Sequence, residues 1–127
     1  MSPEGFLLLL ASVLSFAVGL MHLIYGERFI FMHLNQLESP KLSGQPEKTK
    51  CALRAAWHCV TIALWAISFL FLLMAQAPIA ANMVSSVLAW MFSAMVLVTI
   101  LITRGRYLIW PAFVAISLIA FWSAHQL

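Results

Sequence analysis

Lys and Arg occur in only two short stretches of this 127-residue chain, and the sequence elsewhere is nearly free of charge. The first stretch holds Arg28, Lys41, Lys48, Lys50 and Arg54; the second holds Arg104 and Arg106. Four long apolar runs flank them, at about residues 5–25, 53–76, 80–103 and 107–126. Each is near the ~20 residues that cross a ~30 Å hydrocarbon core. With 64% hydrophobic and 9% charged residues, a soluble domain of this size could not cover its apolar surface. The expected fold class is all-α: an antiparallel bundle of four transmembrane helices. It forms a single domain over residues 1–127, with no room for a separate soluble one.

Orientation follows from the same charges, because Lys and Arg concentrate in cytoplasmic loops. The loop at about 27–51 and the Arg104–Arg106 turn carry the positive charge, so both are expected in the cytoplasm and both termini outside it. The expected location is the plasma membrane, in a bacterium the inner membrane. The formal charge of +3 sits at membrane boundaries and is not a nucleic-acid signature. The first run lacks a basic leader and a small-residue cleavage site, and is expected to be a retained span. Cys51 and Cys59 are too few for a disulfide framework. On the cytoplasmic side they are expected as free thiols.

Along the chain, Ser12, Ser15 and Gly19 form a small-residue face suited to close helix approach in lipid. Residues 28–37, RFIFMHLNQL, either prolong the first helix or lie along the interface as an amphipathic segment. Residues 38–50, with Pro40, Gly44 and Pro46, read as an irregular solvated loop. Ala52, Ala55, Ala56 and Ala63 give span two small faces. Pro78 suits a tight turn before span three. Ser85, Ser86, Ser93 and Thr99 in span three can bond within or between helices. Pro111 opens or kinks the start of span four. No internal repeat supports an inverted-repeat transporter.

Residues able to carry chemistry gather at one depth. His22 lies near the end of span one and His58 near the start of span two. At ~1.5 Å rise per residue both lie roughly 5–10 Å inside the cytoplasmic boundary. Antiparallel neighbours can bring them level. Glu27, His33 and Cys59 are close in sequence and depth, with Tyr25, Arg28, Arg54 and Trp57 as supporting residues. Imidazole is a neutral metal donor and a proton carrier near neutral pH. Two histidines with a carboxylate suit a transition metal, and two histidines from facing helices suit a haem. Against this, no ligand-spacing motif is present, and His22 and Glu27 lie five residues apart, about 140° around an α-helix. The bland alternative is that His22 and His58 bond hydroxyls or carbonyls inside the bundle. Arg54 precedes His58 by four residues, so the two share a face, and Arg54 can meet Glu27 at the end of span one. The competing expectation is that Glu27 and Arg28 are a solvated pair that ends the span. His125 with Trp122 reads as an interface anchor on the far side, and the methionines as packing material.

The segments GLMHLIYGERFIF and LRAAWHCVTIALW together resemble small four-span bacterial membrane proteins with a span-one His, Gly-Glu-Arg, and Trp-His at the start of span two. The resemblance covers about the first half of the chain. It implies no activity, but it singles out His22, Glu27, Arg28, Arg54, Trp57 and His58 as a set.

The leading expectation for function is a non-enzymatic bundle, ligand-binding or accessory and regulatory, with a polar site between spans one and two. One rival is a haem- or transition-metal-binding redox protein using His22 and His58. Another is an oligomeric channel or transporter, supported only by the hydroxyls of span three. A small multidrug exporter is disfavoured, since Glu27 lies too near the boundary. Expected partners are membrane lipids, with a membrane-protein partner or a second copy of the chain; no nucleic acid is expected.

Overall fold

A computed structural model describes residues 2–36, 46–106 and 108–126, without the side chains of residues 35, 36 and 46–48. Every regular element among the described residues is helical. Helix α1 spans Pro3–Tyr25 and runs without a break into a π-helical segment, Gly26–Phe31, then into α2, Met32–Gln36. Helix α3 spans Pro46–Gln76, α4 Ala81–Thr103 and α5 Trp110–Gln126. Ser2 caps α1, accepting from the Gly5 amide at 3.0 Å, with Pro3 at the start and Glu4 in the first turn. This is the N-terminal chemistry that satisfies orphan amides and the helix dipole.

Three continuous stretches are long and apolar enough to cross a membrane: Pro3–Leu34, Thr49–Gln76 and Ala81–Thr103. Helix α5 has 17 residues, fewer than the run at 107–126, because it starts at Trp110 with Pro111 in its first turn. Pro there loses no helical hydrogen bond.

One helix end resolves an open alternative, and one helix start differs from the sequence expectation. Residues 28–36 prolong the first helix, which settles one of the two alternatives for that segment. Residues 46–50, expected in an irregular loop, are the first turn of α3. Pro46 begins that helix, where its missing N–H costs nothing. The rest of the loop, including Pro40 and Gly44, lies outside the described residues.

The helices pack in chain order: α1 on α3, α3 on α4 and α4 on α5. No contact of similar extent joins α1 to α5. The buried residues are mostly small or polar: Ser12, Thr61, Ser68, Thr99, Thr103 and Ser117, beside Ala55, Ala89, Met95 and Phe31. Leu7, Leu14, Met21, Trp90, Leu101 and Trp122 face outward. A water-soluble protein distributes these residues the other way round. Small and hydroxyl residues inside, with large apolar ones outside, is how helices associate in lipid.

Hydroxyls join the pairs. Ser12 and Ser68 each donate to the other's backbone carbonyl, at 2.8 and 2.7 Å. Ser93 and Ser117 share a 2.6 Å bond, and Ser85 donates to the Ala120 carbonyl at 2.8 Å. Ser86 bonds the Asn82 carbonyl of its own helix. The span-three hydroxyls, the sole support for a pore, thus face helices of the bundle: Ser85 and Ser93 meet α5, Ser86 bonds α4 itself and Thr99 meets Cys59 of α3. Trp122 and His125 are exposed on the last turns of α5.

Candidate functional site

The site is set by how α1 and α3 cross. Gly19 and Gly26 are buried, and an indole from α3 lies over each. Trp65 covers Gly19 and donates to the Phe16 carbonyl at 3.3 Å. Trp57 covers Gly26 and donates to the His22 carbonyl at 2.8 Å. The His22 ring stacks on Trp57 with centroids 4.1 Å apart and planes 9° apart, and Phe31 meets Trp57 edge-on at 5.9 Å. Gly26 and Phe31 both face Trp57 although five residues separate them. In an α-helix they would point about 140° apart. The i→i+5 turn of the π segment brings both to the α3 side.

On α3, Arg54, His58 and Thr61 recur at helical spacing and form one stripe. Glu27, in the π segment, meets the first two. Arg54 donates from Nε to Oε1 and from Nη2 to Oε2, both at 2.9 Å. His58 Nε2 donates to Oε1 at 2.6 Å, since an ionised carboxylate can only accept. The two-pronged guanidinium contact is the strong form of this pair. Exposure falls along the triad, from 49% for the Arg54 side chain to 32% for Glu27 and 16% for His58. The Arg54 end is open and the His58 end reaches into the helix packing.

His22 takes a different partner, sharing a 3.0 Å hydrogen bond between Nδ1 and the buried Thr61 hydroxyl. His22 and His58 therefore sit on successive turns of one seam. Each ring has one nitrogen committed, Nδ1 to Thr61 and Nε2 to Glu27. The remaining expected residues are not drawn in. His33 and Arg28 are exposed. Tyr25 is exposed and leans on Phe29, with ring centroids 5.5 Å apart. Cys59 points to α4, its sulfur 3.8 Å from the Thr99 hydroxyl. Both cysteines are free. Among the described residues no three or more His, Cys, Asp or Glu side chains are grouped as a metal site would need.

Beside the triad is an open cleft of about 290 Å³ between α1, α3 and α4. Leu23, His58, Thr61, Trp65, Val98 and Ile102 line it. Among the described residues, the polar members of its lining are His58, Thr61 and Trp65. Neither Thr61 nor the cleft follows from single-residue inspection of the sequence. The available signal was the seven-residue step from Arg54 to Thr61, which continues the Arg54–His58 stripe by one turn.

No protein-family model matches the chain, and neither a curated protein nor a solved structure matches it.

Proposed function

We propose that this chain is a small plasma-membrane protein that binds a lipophilic ligand, a non-enzymatic bundle whose polar centre is Glu27, Arg54 and His58. The observation that carries this reading is the join between the triad and the cleft. His58 is held by a carboxylate, which is itself held by a guanidinium, and the same imidazole forms part of an apolar wall. Such concave, mostly apolar sites with a few fixed polar groups are where small molecules bind. The experiment is native mass spectrometry on protein extracted from its own membranes in mild detergent. The expected result is one lipophilic species retained per chain and retained about tenfold more weakly in His58→Phe, the scale of one lost hydrogen bond. Equal retention by the two proteins, matching bulk lipid, would overturn the reading.

The membrane arrangement belongs to the same proposal. The 17 residues of α5 give about 26 Å of helix, at the short end of what spans a bilayer. Counted with it, four spans put both termini on one side. The positive charge of the loops on the other side supports reading the side of the termini as the outside, with the triad in the inner leaflet. Reporter fusions at Leu127 and within residues 77–81 are expected to report the outer side, and a fusion at Gly44 the cytoplasm. An external Gly44 would reverse the orientation.

One observation favours a second reading, metal or haem ligation. A carboxylate hydrogen-bonded to one imidazole nitrogen is the usual support for a ligating histidine, and Glu27 has that relation to His58. His58 Nδ1 and His22 Nε2 would then be the donor atoms. An absorption spectrum and metal analysis of the purified protein test it.

A further inference from the structure

We infer that the cleft between α1, α3 and α4 recognises a lipophilic alcohol or phenol, a molecule with an apolar body and a hydroxyl head. This deepens the binding reading above and rests on it. The argument begins with Glu27. Its carboxylate accepts from His58 Nε2 at 2.6 Å, so the proton of the neutral imidazole is fixed on that nitrogen. Arg54 already balances the charge of Glu27 through two bonds at 2.9 Å, so an uncharged His58 leaves the triad neutral overall. The second nitrogen, Nδ1, is then a lone-pair acceptor. His58 lines the cleft, and an acceptor nitrogen turned toward a mostly apolar space is best met by a donor on the occupant, because leaving it unpaired costs free energy.

The other polar groups of the wall fit the same head. The Thr61 hydroxyl is engaged with His22 at 3.0 Å but keeps further hydrogen-bonding capacity. The Trp65 indole offers a ring face, and the rest of the lining is aliphatic. With the His22 proton on Nδ1, that imidazole donates to Thr61 and leaves the Thr61 O–H free, so a hydroxyl on the occupant can donate to His58 and accept from Thr61. An ether or ester oxygen cannot donate, and a carboxylate would place a second anion near Glu27. About 290 Å³ accommodates a head and the first part of a chain, at the lower end of the ~300–1,000 Å³ of small-molecule pockets. The cleft is open, so a longer tail can continue into the surroundings. The shared chemistry is the hydroxyl-headed lipophile, which could be a phenolic ring compound or an aliphatic alcohol.

The test is equilibrium retention of radiolabelled para-dodecylphenol by the full chain in nanodiscs, with empty nanodiscs as background. Its methyl ether and dodecanol serve as competitors. One saturable equivalent per chain is expected, with the ether about tenfold weaker, the scale of one lost hydrogen bond. His58→Phe should bring the phenol down to the level of the ether. Val98→Phe, which fills the cleft from α4 and removes no group of the triad, should abolish retention while the protein stays folded. Competition by dodecanol as strong as by unlabelled phenol assigns the head as any hydroxyl; weaker competition assigns it as a phenol. Equal binding of phenol and ether overturns recognition of the hydroxyl, and absence of saturable retention overturns the occupant altogether. If mass spectrometry still shows a His58-dependent ligand in that case, binding stands and only the ligand class falls. If it shows none, both fall.

Discussion

Gly26→Ala is expected to destabilise the protein by about 2 kcal/mol, although alanine is the better helix former. A methyl group at Gly26 would lie 2.5 Å from Trp57 Cδ1 and 2.7 Å from Cε2, far inside van der Waals contact. Trp57 cannot turn aside cheaply. Its N–H is bonded to the His22 carbonyl, its face is stacked on His22 and Phe31 abuts it edge-on. Overpacking of this kind costs ~1–3 kcal/mol, with the lost hydrogen bond and ring contacts added. The gain in helix propensity returns up to ~1 kcal/mol. Gly19 is the internal control. A methyl there would lie 2.6 Å from Trp65 Nε1, but the Trp65 hydrogen bond is longer, at 3.3 Å, and exposed. Gly19→Ala should therefore cost less. Unfolding in mixed detergent micelles measures both. In a Trp57→Leu background the Gly26→Ala penalty should largely vanish; persistence of the full penalty would show that the indole is not its cause.

The membrane-capable helices were legible because their signal is compositional. Apolar runs of span length with charges only at their ends leave few other solutions, and Pro3–Leu34, Thr49–Gln76 and Ala81–Thr103 follow them. The helix ends were less legible. Tyr25-Gly26-Glu27-Arg28 has the look of a terminus, a glycine followed by two charges. The helix continues because Glu27 is satisfied by α3 rather than by solvent, and because Gly26 serves close approach rather than capping. Both reasons are tertiary, and no local propensity contains them. The π turn is similar, since GERFIF carries no period that marks it. Its effect is visible only once Gly26 and Phe31 are seen against the same indole.

The polar seam was legible in part. Spacing puts Arg54 and His58 on one face, and depth allows Glu27 to meet Arg54 without choosing that over two separately solvated charges. Depth alone could not assign partners. His22 and His58 reach successive turns of one seam, but one is tied to Thr61 and the other to Glu27. The 140° between His22 and Glu27 on an α-helix had already argued against their sharing one ligand set. Thr61 was overlooked because threonine in an apolar run reads as filler. It is buried here and is the hydrogen-bond partner of the His22 imidazole, as a buried polar group requires.

Glu27→Gln should be more harmful than Arg54→Gln, and the two losses should fall short of additivity in the double variant. Glu27 serves two partners, Arg54 through both oxygens and His58 through one. Its replacement leaves the guanidinium without a counter-charge and the imidazole N–H without a carboxylate. Removing Arg54 leaves the bond between Glu27 and His58 in place. Arg54 is half-exposed at 49%, so the pair is partly screened. A coupling of about 0.5–1 kcal/mol is expected between the two positions, with Glu27→Gln alone costing about 1–2 kcal/mol. Denaturation in mixed micelles at low and high salt gives all four corners of the cycle. Raising the salt should shrink the coupling only modestly, because the two-pronged geometry and the partial burial of Glu27 limit screening. A cycle that closes to additivity within ~0.3 kcal/mol, or an Arg54→Gln loss equal to that of Glu27→Gln, would mean that the carboxylate does not hold both groups at once. His58 would then lack the anchor that fixes its proton on Nε2.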